Sequence, residues 1–164
     1  MKEVTVAHLG VDRTTNSPVV ILREKDGSRV LPIWIGPAEA SAIAMELQGI
    51  KAQRPLTHDL LKQVIVGLGG ELRRVLISGV KENTYFAELL IHRGDHVFQV
   101  DARPSDSIAL ALRLDAPIFA SDGLLDEGDG NGEEPPEPEP SIDTEKLKQY
   151  LETLDPQDFG KFNP

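Results

Sequence analysis

The sequence predicts an α+β fold in which a β-β-β-α unit occurs twice. Residues 29–48 and 95–114 match when one is shifted by about 65 positions, and each runs from an apolar strand through a proline-containing turn into an alanine-rich helix. A further strand precedes each of them, and the connections EKDG and HRGD have the composition of hairpin turns. Hairpins join antiparallel strands, so we expect a largely antiparallel sheet packed with helices. Two copies at this spacing indicate an internal duplication, since solenoids repeat at shorter periods and need at least three copies.

The two units are expected over about residues 3–50 and 71–120. The first opens with a strand near 3–11 and the second with a strand near 72–80. Each unit closes with its alanine-rich helix, whose small side chains allow close packing on a sheet.

A third helix is expected between the units, in the segment RPLTHDLLKQVIVGLGGEL. Thr57 is its expected N-cap, and the Gly69-Gly70 pair is its expected stop. The apolar residues at helical spacing are Leu60, Leu61, Val64 and Leu68. They predict one apolar face on this helix.

The chain changes character after the second unit. Residues 122–140 are rich in glycine, proline and acidic residues, which predicts an extended linker without a core. Residues 141–164 contain the spacing of a short amphipathic helix. Such a helix is marginal alone, so we expect it to dock on the body of the chain or on a protein partner. The expected organisation is a domain over 1–121, this linker, and a C-terminal helix and tail.

Charge and composition exclude some functions and leave others open. The net charge of -10 arises after residue 120, because residues 1–120 contain 14 acidic and 14 basic side chains. The global charge therefore does not argue against nucleic acid binding by the body. The absence of cysteine excludes disulfides, thiolate catalysis and cysteine-bound zinc. No apolar run approaches the roughly 18 residues that span a bilayer, so we expect a cytoplasmic protein without a membrane segment.

Three motifs resemble the bifunctional nuclease domain family: LPIWIGPAEASAIA, RPLTHDLL and VDARPSDSIALALR, in this order. The resemblance covers roughly residues 1–125. It implies a duplicated α+β fold, a homodimer and, as in plant members, degradation of both RNA and DNA. The segment LKQYLETLDPQDF also resembles a short helix that follows an acidic linker in some bacterial members.

These motifs contain the residue types that phosphodiester cleavage needs. The reaction requires an activated water or ribose hydroxyl and stabilisation of charge on the phosphoryl oxygens. His58 is the expected general acid or base, and Asp59, Asp101 and Glu39 complete the expected catalytic set.

Phosphate and metal binding are assigned to a second set of residues. Arg103 is the expected phosphate ligand, with Arg54 as the second candidate. A set drawn from Asp101, Asp106 and Glu39 is the expected site for Mg²⁺ or Mn²⁺, because hard divalent cations prefer oxygen ligands. This site requires that the two helix starts lie close together.

The same residues also have a structural interpretation. Glu39, Asp59 and Asp106 fall in the first turns of the expected helices, where a carboxylate stabilises the helix dipole by about 0.3–1 kcal/mol. Asp101 and Arg103 fit equally well an ion pair that links the two units. Two functions therefore remain open: a nuclease acting on RNA or DNA, and a non-enzymatic dimeric module that binds a ligand or a protein.

Overall fold

A seven-stranded sheet and three α-helices make up residues 1–126, the part of the chain that the computed structural model describes. The strands are β1 (Lys2–Asp12), β2 (Ser17–Glu24), β3 (Val30–Trp34), β4 (Glu71–Lys81), β5 (Thr84–Arg93), β6 (His96–Ala102) and β7 (Ile118–Ala120). The helices are α1 (Pro37–Leu47), α2 (Thr57–Gly67) and α3 (Pro104–Leu114), with a short 3-10 helix at Asp122–Leu124. The predicted C-terminal helix lies outside the described residues.

The strand order is β3-β2-β1-β7-β4-β5-β6. Every neighbouring pair is antiparallel except β4 and β7, which are parallel. The prediction of an α+β fold with a largely antiparallel sheet is therefore confirmed. The short strand β7 lies in the middle, between a group β1-β2-β3 and a group β4-β5-β6.

One hydrophobic core fills the space between the helices and one face of the sheet. Val75, Ile77 and Leu89 alternate with more exposed residues in β4 and β5, as expected for strands with a single covered face. Ile43 of α1 and Ile108 of α3 are fully buried in the same cluster. Burying one such side chain contributes about 1.5–3 kcal/mol. The core thus holds α1 and α3 side by side on the sheet, and with them the N-terminal ends of both helices.

The helix starts differ from the expectation at one point. Thr57 is the first residue of α2 and not its N-cap; the N-cap position is Leu56. The Asp59 side chain stabilises this helix start by another bond, because its Oδ2 accepts a hydrogen bond from the backbone N–H of the N-cap residue Leu56 at 2.9 Å. Helices α1 and α3 begin with a proline directly after Gly36 and Arg103, respectively.

Helix α2 covers little of the core. Ile65 is its buried residue, whereas the four residues of its expected apolar face are 39 to 63% exposed. The face exists as the spacing predicts, but the fold turns it to solvent. No helix of residues 1–126 is long and apolar enough to cross a membrane.

The folded body continues past residue 121. Leu125 is buried in the core, and Asp126 forms a backbone bridge with Val30 at the start of β3. The amino group of Met1 forms an ion pair with Asp122. The first and last described residues are therefore held on the same sheet.

Candidate functional site

The N-terminal ends of the three helices bring four ionic side chains together. We call Glu39, His58, Arg103 and Asp106 the entrance cluster. Arg103 Nε lies 2.6 Å from Asp106 Oδ2, and its Nη2 lies 2.9 Å from Glu39 Oε1. His58 Nε2 lies 2.9 Å from Asp106 Oδ1. The fold thus joins residues from all three sequence motifs, as the site hypothesis requires.

His58 is held in one orientation by the carboxylate of Asp106. Its side chain is only 12% exposed, and Nε2 makes its hydrogen bond with Asp106. Its Nδ1 makes no hydrogen bond within residues 1–126, and no buried side-chain nitrogen there lacks a partner. Nδ1 is therefore at least partly accessible to solvent. A carboxylate on one ring nitrogen and solvent on the other is the arrangement of a general acid or base.

Arg103 is the most accessible member of the entrance cluster. Its side chain is 66% exposed, although Asp106 and Glu39 both bind it. The two carboxylates use Nε and Nη2, and Nη1 has no partner within residues 1–126. The N–H groups of Nη1 are thus available to an external anion, for which the planar guanidinium is a suitable ligand.

The carboxylate of Asp106 stays ionised because of these contacts. Partial burial alone would raise its pKa, but hydrogen bonds from Arg103 and His58 outweigh burial and hold the pKa below the ordinary value. With His58 neutral, the entrance cluster carries one net negative charge. Protonation of His58 makes the cluster neutral, which favours an anionic ligand.

Asp59 lies beside His58 in sequence but belongs to a second ion pair. Its Oδ1 accepts a hydrogen bond from Arg113 Nε at 2.7 Å. Arg113 is only 3% exposed, and its guanidinium also donates to the backbone carbonyls of Ala109 and Ala42. The pair fastens α2 to α3 and α3 to α1.

Sequence reasoning missed Arg113. It follows the apolar run of α3, seven positions after Asp106 and therefore on the same face of the helix. That position was the available signal, since a face with two charges two turns apart predicts contacts with a polar partner.

Asp101 does not join the entrance cluster. It pairs with Glu88 across β5 and β6, and opposed residues of antiparallel strands project to the same face. Ala87 and Leu89 on either side of Glu88 are buried in the core, so Glu88 and Asp101 project to the face without helices. Asp101 is exposed there and makes no ion pair within residues 1–126.

Arg54 lies in the connection between α1 and α2. It is exposed, and within the described part of the chain it makes no hydrogen bond or ion pair. It thus adds positive charge three residues before the start of α2, without a fixed position.

The predicted metal ligands do not form a site as they stand. Glu39 and Asp106 are both bound to Arg103, so a divalent cation would have to displace a guanidinium. Asp101 projects from the other face of the sheet. Among residues 1–126 no three acidic or histidine side chains are grouped as metal ligands. As positioned, these residues do not form a site for Mg²⁺ or Mn²⁺.

The protein is thus a small α+β protein whose candidate site contains an imidazole–carboxylate pair beside an exposed arginine. The family model of the bifunctional nuclease domain matches residues 20–131. The chain therefore belongs to the bifunctional nuclease domain family, as its motifs predicted.

The relatives fall into two groups. An uncharacterized protein of Mycobacterium tuberculosis is 42% identical, over 97% of this chain and 98% of its own length. Bifunctional nuclease 2 of Oryza sativa subsp. japonica is 30% identical over 66% of this chain, and Bifunctional nuclease 1 of Arabidopsis thaliana is 27% identical over 62%. The matches cover 34% and 32% of these two plant proteins.

Proposed function

We propose that the protein is a nuclease that hydrolyses phosphodiester bonds of RNA or DNA. Membership of the bifunctional nuclease domain family supports this class of reaction. The observation that carries the proposal is the entrance cluster, in which His58 and Arg103 are held by the same carboxylate of Asp106. One group moves protons and the other binds a phosphoryl oxygen, and both reach solvent.

The entrance cluster assigns a role to each of its residues. Arg103 Nη1 binds a phosphoryl oxygen and stabilises the charge that develops there. His58 Nδ1 takes the proton from the attacking water or ribose hydroxyl, or delivers one to the leaving oxygen. Asp106 orients His58, and Glu39 holds Arg103 from the other side. Arg54 approaches the polynucleotide as a second cation.

Asp59 and Asp101 remain predictions as catalytic residues. Asp59 acts on the site through α2, whose first turn it caps and whose position it fixes through Arg113. For Asp101 to take part in catalysis, the substrate must reach the face of the sheet that carries no helices. Dependence on Mg²⁺ or Mn²⁺ also remains a prediction, which chelation by EDTA tests directly.

Cleavage of labelled single-stranded RNA and DNA by the purified chain tests the proposal. We expect His58→Ala and Asp106→Asn each to lower the rate by about 10²–10⁴-fold, the usual size of an acid–base contribution. His96→Ala is the matched control, because His96 is an exposed histidine outside the entrance cluster. Equal activity in His58→Ala, His96→Ala and the parent protein would exclude the site and indicate contaminating nuclease.

A second function is favoured by a different observation, an uncovered apolar surface. Successive residues of α2 are about 100° apart around the helix axis. Leu61, Val64 and Leu68 therefore lie to one side of Ile65, and the residues that contact α3 lie to the other side. This apolar stripe of α2 therefore faces away from α3. On the edge strand β6, Phe98 and Val100 pair with Ile91 and Leu89 on the core side of the sheet, yet Phe98 is 44% exposed. We call Leu60, Leu61, Val64, Leu68, Phe98 and Val100 the open apolar surface.

We propose that a second copy of the chain covers the open apolar surface. Large apolar side chains exposed on α2 and on the edge strand β6 are typical of surfaces that bind another protein. The β5–β6 pairing runs without a bulge, and no strand of residues 1–126 pairs with the outer edge of β6, so a two-fold related β6 can add to it. The alternative function is then a non-enzymatic dimeric module that binds a ligand or a protein, with the acidic linker and C-terminal segment as a contact arm.

Light scattering after size exclusion tests the dimer. We expect the chain to elute as a dimer and Leu61→Asp to elute as a monomer with an unchanged circular dichroism spectrum. Val80→Asp is the matched control, since Val80 is 49% exposed, against 39% for Leu61, but lies on β4 outside the surface. A monomeric parent protein contradicts the proposal. A dimer that cleaves neither RNA nor DNA favours the module over the nuclease.

We also propose that the two halves of the sheet derive from one duplicated unit. The order β1-β2-β3-α1 recurs as β4-β5-β6-α3, and both helices begin with a proline. Helix α2 and strand β7 fall outside the repeat. Superposition of the halves should pair β1 with β4 and α1 with α3, whereas a strand order that does not superpose would contradict a duplication.

A further inference from the structure

A cavity of about 350 Å³ lies between the C-terminal half of α1, the connection to α2, and helices α2 and α3. Three basic residues line it, namely Lys51, Lys62 and Arg113, together with the acidic residues Glu46 and Asp59. It is separate from the entrance cluster. Arg113 lies seven residues after Asp106 on α3, which places the two sites on the order of 10 Å apart along that helix.

The acidic groups of the cavity are already bound within the protein. Asp59 uses one oxygen for Arg113 and the other for the Leu56 backbone N–H. Burial alone would raise its pKa, but these hydrogen bonds outweigh burial and lower the pKa, so Asp59 is ionised and paired. Glu46 lies 3.9 Å from Arg113. Neither carboxylate is left to repel an anion strongly.

The ammonium groups have donors to spare. Lys62 is fixed at the cavity because its Nζ donates to the Arg113 carbonyl at 2.6 Å, which leaves two of its three N–H bonds unused. Lys51 is exposed and makes no hydrogen bond or ion pair within residues 1–126. The cavity thus combines one ammonium bound to a carbonyl, one ammonium without a bond to residues 1–126, and a net charge of +1 from its five ionic groups.

The remaining lining of the cavity is partly apolar. Met45, Ile50, Ala52 and Pro55 form the apolar part, and Gln53 and Gln63 add two side-chain amides. The volume lies at the lower end of the range for small-molecule sites, about 300–1,000 Å³. A ligand that uses both halves of the cavity has an anionic group for the lysines and a compact apolar or planar body for this wall.

We propose that this cavity binds an organic phosphate with a planar or apolar body, of the size of a nucleoside monophosphate. The phosphate lies between Lys51 and Lys62, and the body lies against Ile50 and Ala52. Two ammonium groups match the two charges of a phosphate monoester. Binding at this cavity does not require catalysis by the entrance cluster. The proposed ligand site is therefore independent of the proposed nuclease function.

Isothermal titration of the full chain with adenosine 5′-monophosphate tests the proposal. We expect saturable binding of one nucleotide per chain, and binding at least about tenfold weaker for adenosine and for inorganic phosphate, since each lacks one half of the ligand. Lys51→Gln and Lys62→Gln should each weaken binding by about tenfold, the effect of one charge-assisted hydrogen bond. Ala52→Trp should abolish binding by filling the cavity while keeping every charge.

Two control variants locate the ligand. Lys81→Gln removes an exposed lysine outside the cavity and should leave the affinity unchanged. Arg103→Gln removes the phosphate ligand of the entrance cluster and should also leave it unchanged. Loss of binding in Arg103→Gln with normal binding in Ala52→Trp would place the nucleotide in the entrance cluster and overturn the proposal. Absence of saturable binding to the parent protein would overturn it as well.

Discussion

Removal of the Asp59 carboxylate is expected to destabilise the fold more than any surface charge change. Arg113 is only 3% exposed, and Asp59 is its nearest carboxylate at 2.7 Å. In Asp59→Ala the guanidinium stays buried with two backbone carbonyls and with Glu46 at 3.9 Å. The same substitution removes the acceptor of the Leu56 N–H at the start of α2.

The magnitude follows from these two losses. Breaking a buried ion pair from one side costs about 3–5 kcal/mol, and losing a helix cap costs about 0.5–2 kcal/mol. The remaining acceptors of Arg113 reduce the first loss, and Asp59 is itself partly exposed. We therefore expect Asp59→Ala to lower the free energy of unfolding by about 3 kcal/mol, a large part of the 5–15 kcal/mol typical of a domain.

Urea unfolding at pH 7, followed by circular dichroism at one protein concentration, measures this loss. Glu71→Ala is the control, because the Glu71–Arg73 pair is solvent-exposed and such a pair contributes about 0–1 kcal/mol. Asp59→Asn keeps an acceptor for Leu56 and removes only the charge, so its loss should be intermediate. A loss for Asp59→Ala no larger than that for Glu71→Ala would refute the reasoning.

Three further outcomes are expected. The pKa of Asp106 is lowered in the folded state, so its contribution to stability is present above the unfolded value of about 4 and is lost as the pH falls through the folded value. The difference in unfolding free energy between the parent protein and Asp106→Asn should therefore be larger at pH 7 than in acid and should shrink as the pH falls below about 4. A Cβ at Gly70 would lie 3.0 Å from the Ile65 carbonyl oxygen, whereas nothing lies within 4 Å at Gly67 in the last turn of α2. Gly70→Ala should therefore cost about 1–3 kcal/mol and Gly67→Ala should stabilise by up to about 1 kcal/mol in thermal melts; equal effects would contradict the packing described. Truncation after Asp126 removes 11 acidic and 3 basic residues, so affinity for single-stranded RNA should rise at low salt and the gain should shrink as salt is added, while a gain independent of salt would argue against electrostatics.

Much of the fold was predictable because its signals are local. Apolar alternation located β1 and β4, hairpin composition located the turns before β3 and β6, and proline marked the starts of α1 and α3. The predicted N-cap of α2 was wrong, because Thr57 and Asp59 both carry oxygens suited to a helix start and the sequence does not show which of them bonds there. In the structure Asp59 bonds the Leu56 N–H, and Thr57 is the first helical residue.

The candidate site was less predictable because it depends on contacts between distant residues. His58 and Asp106 are 48 positions apart, and no spacing rule joins them. The face of Asp101 depends on its register with Glu88 in β5, which the sequence of β6 alone does not contain. The exposure of the α2 stripe likewise depends on how far the helices extend over the sheet towards β6.

The position of β7 has a consequence for synthesis of the protein. Its three residues join the two three-stranded groups, pairing with Lys2–Val4 on one side and with Val75–Ile77 on the other. On the ribosome the N-terminal group, complete at Trp34, keeps an unpaired edge on β1 until more than 80 further residues have been translated and β7 is made. Joining of the sheet is thus a late event, and a nascent chain that stops before Ile118 leaves both groups open to wrong partners.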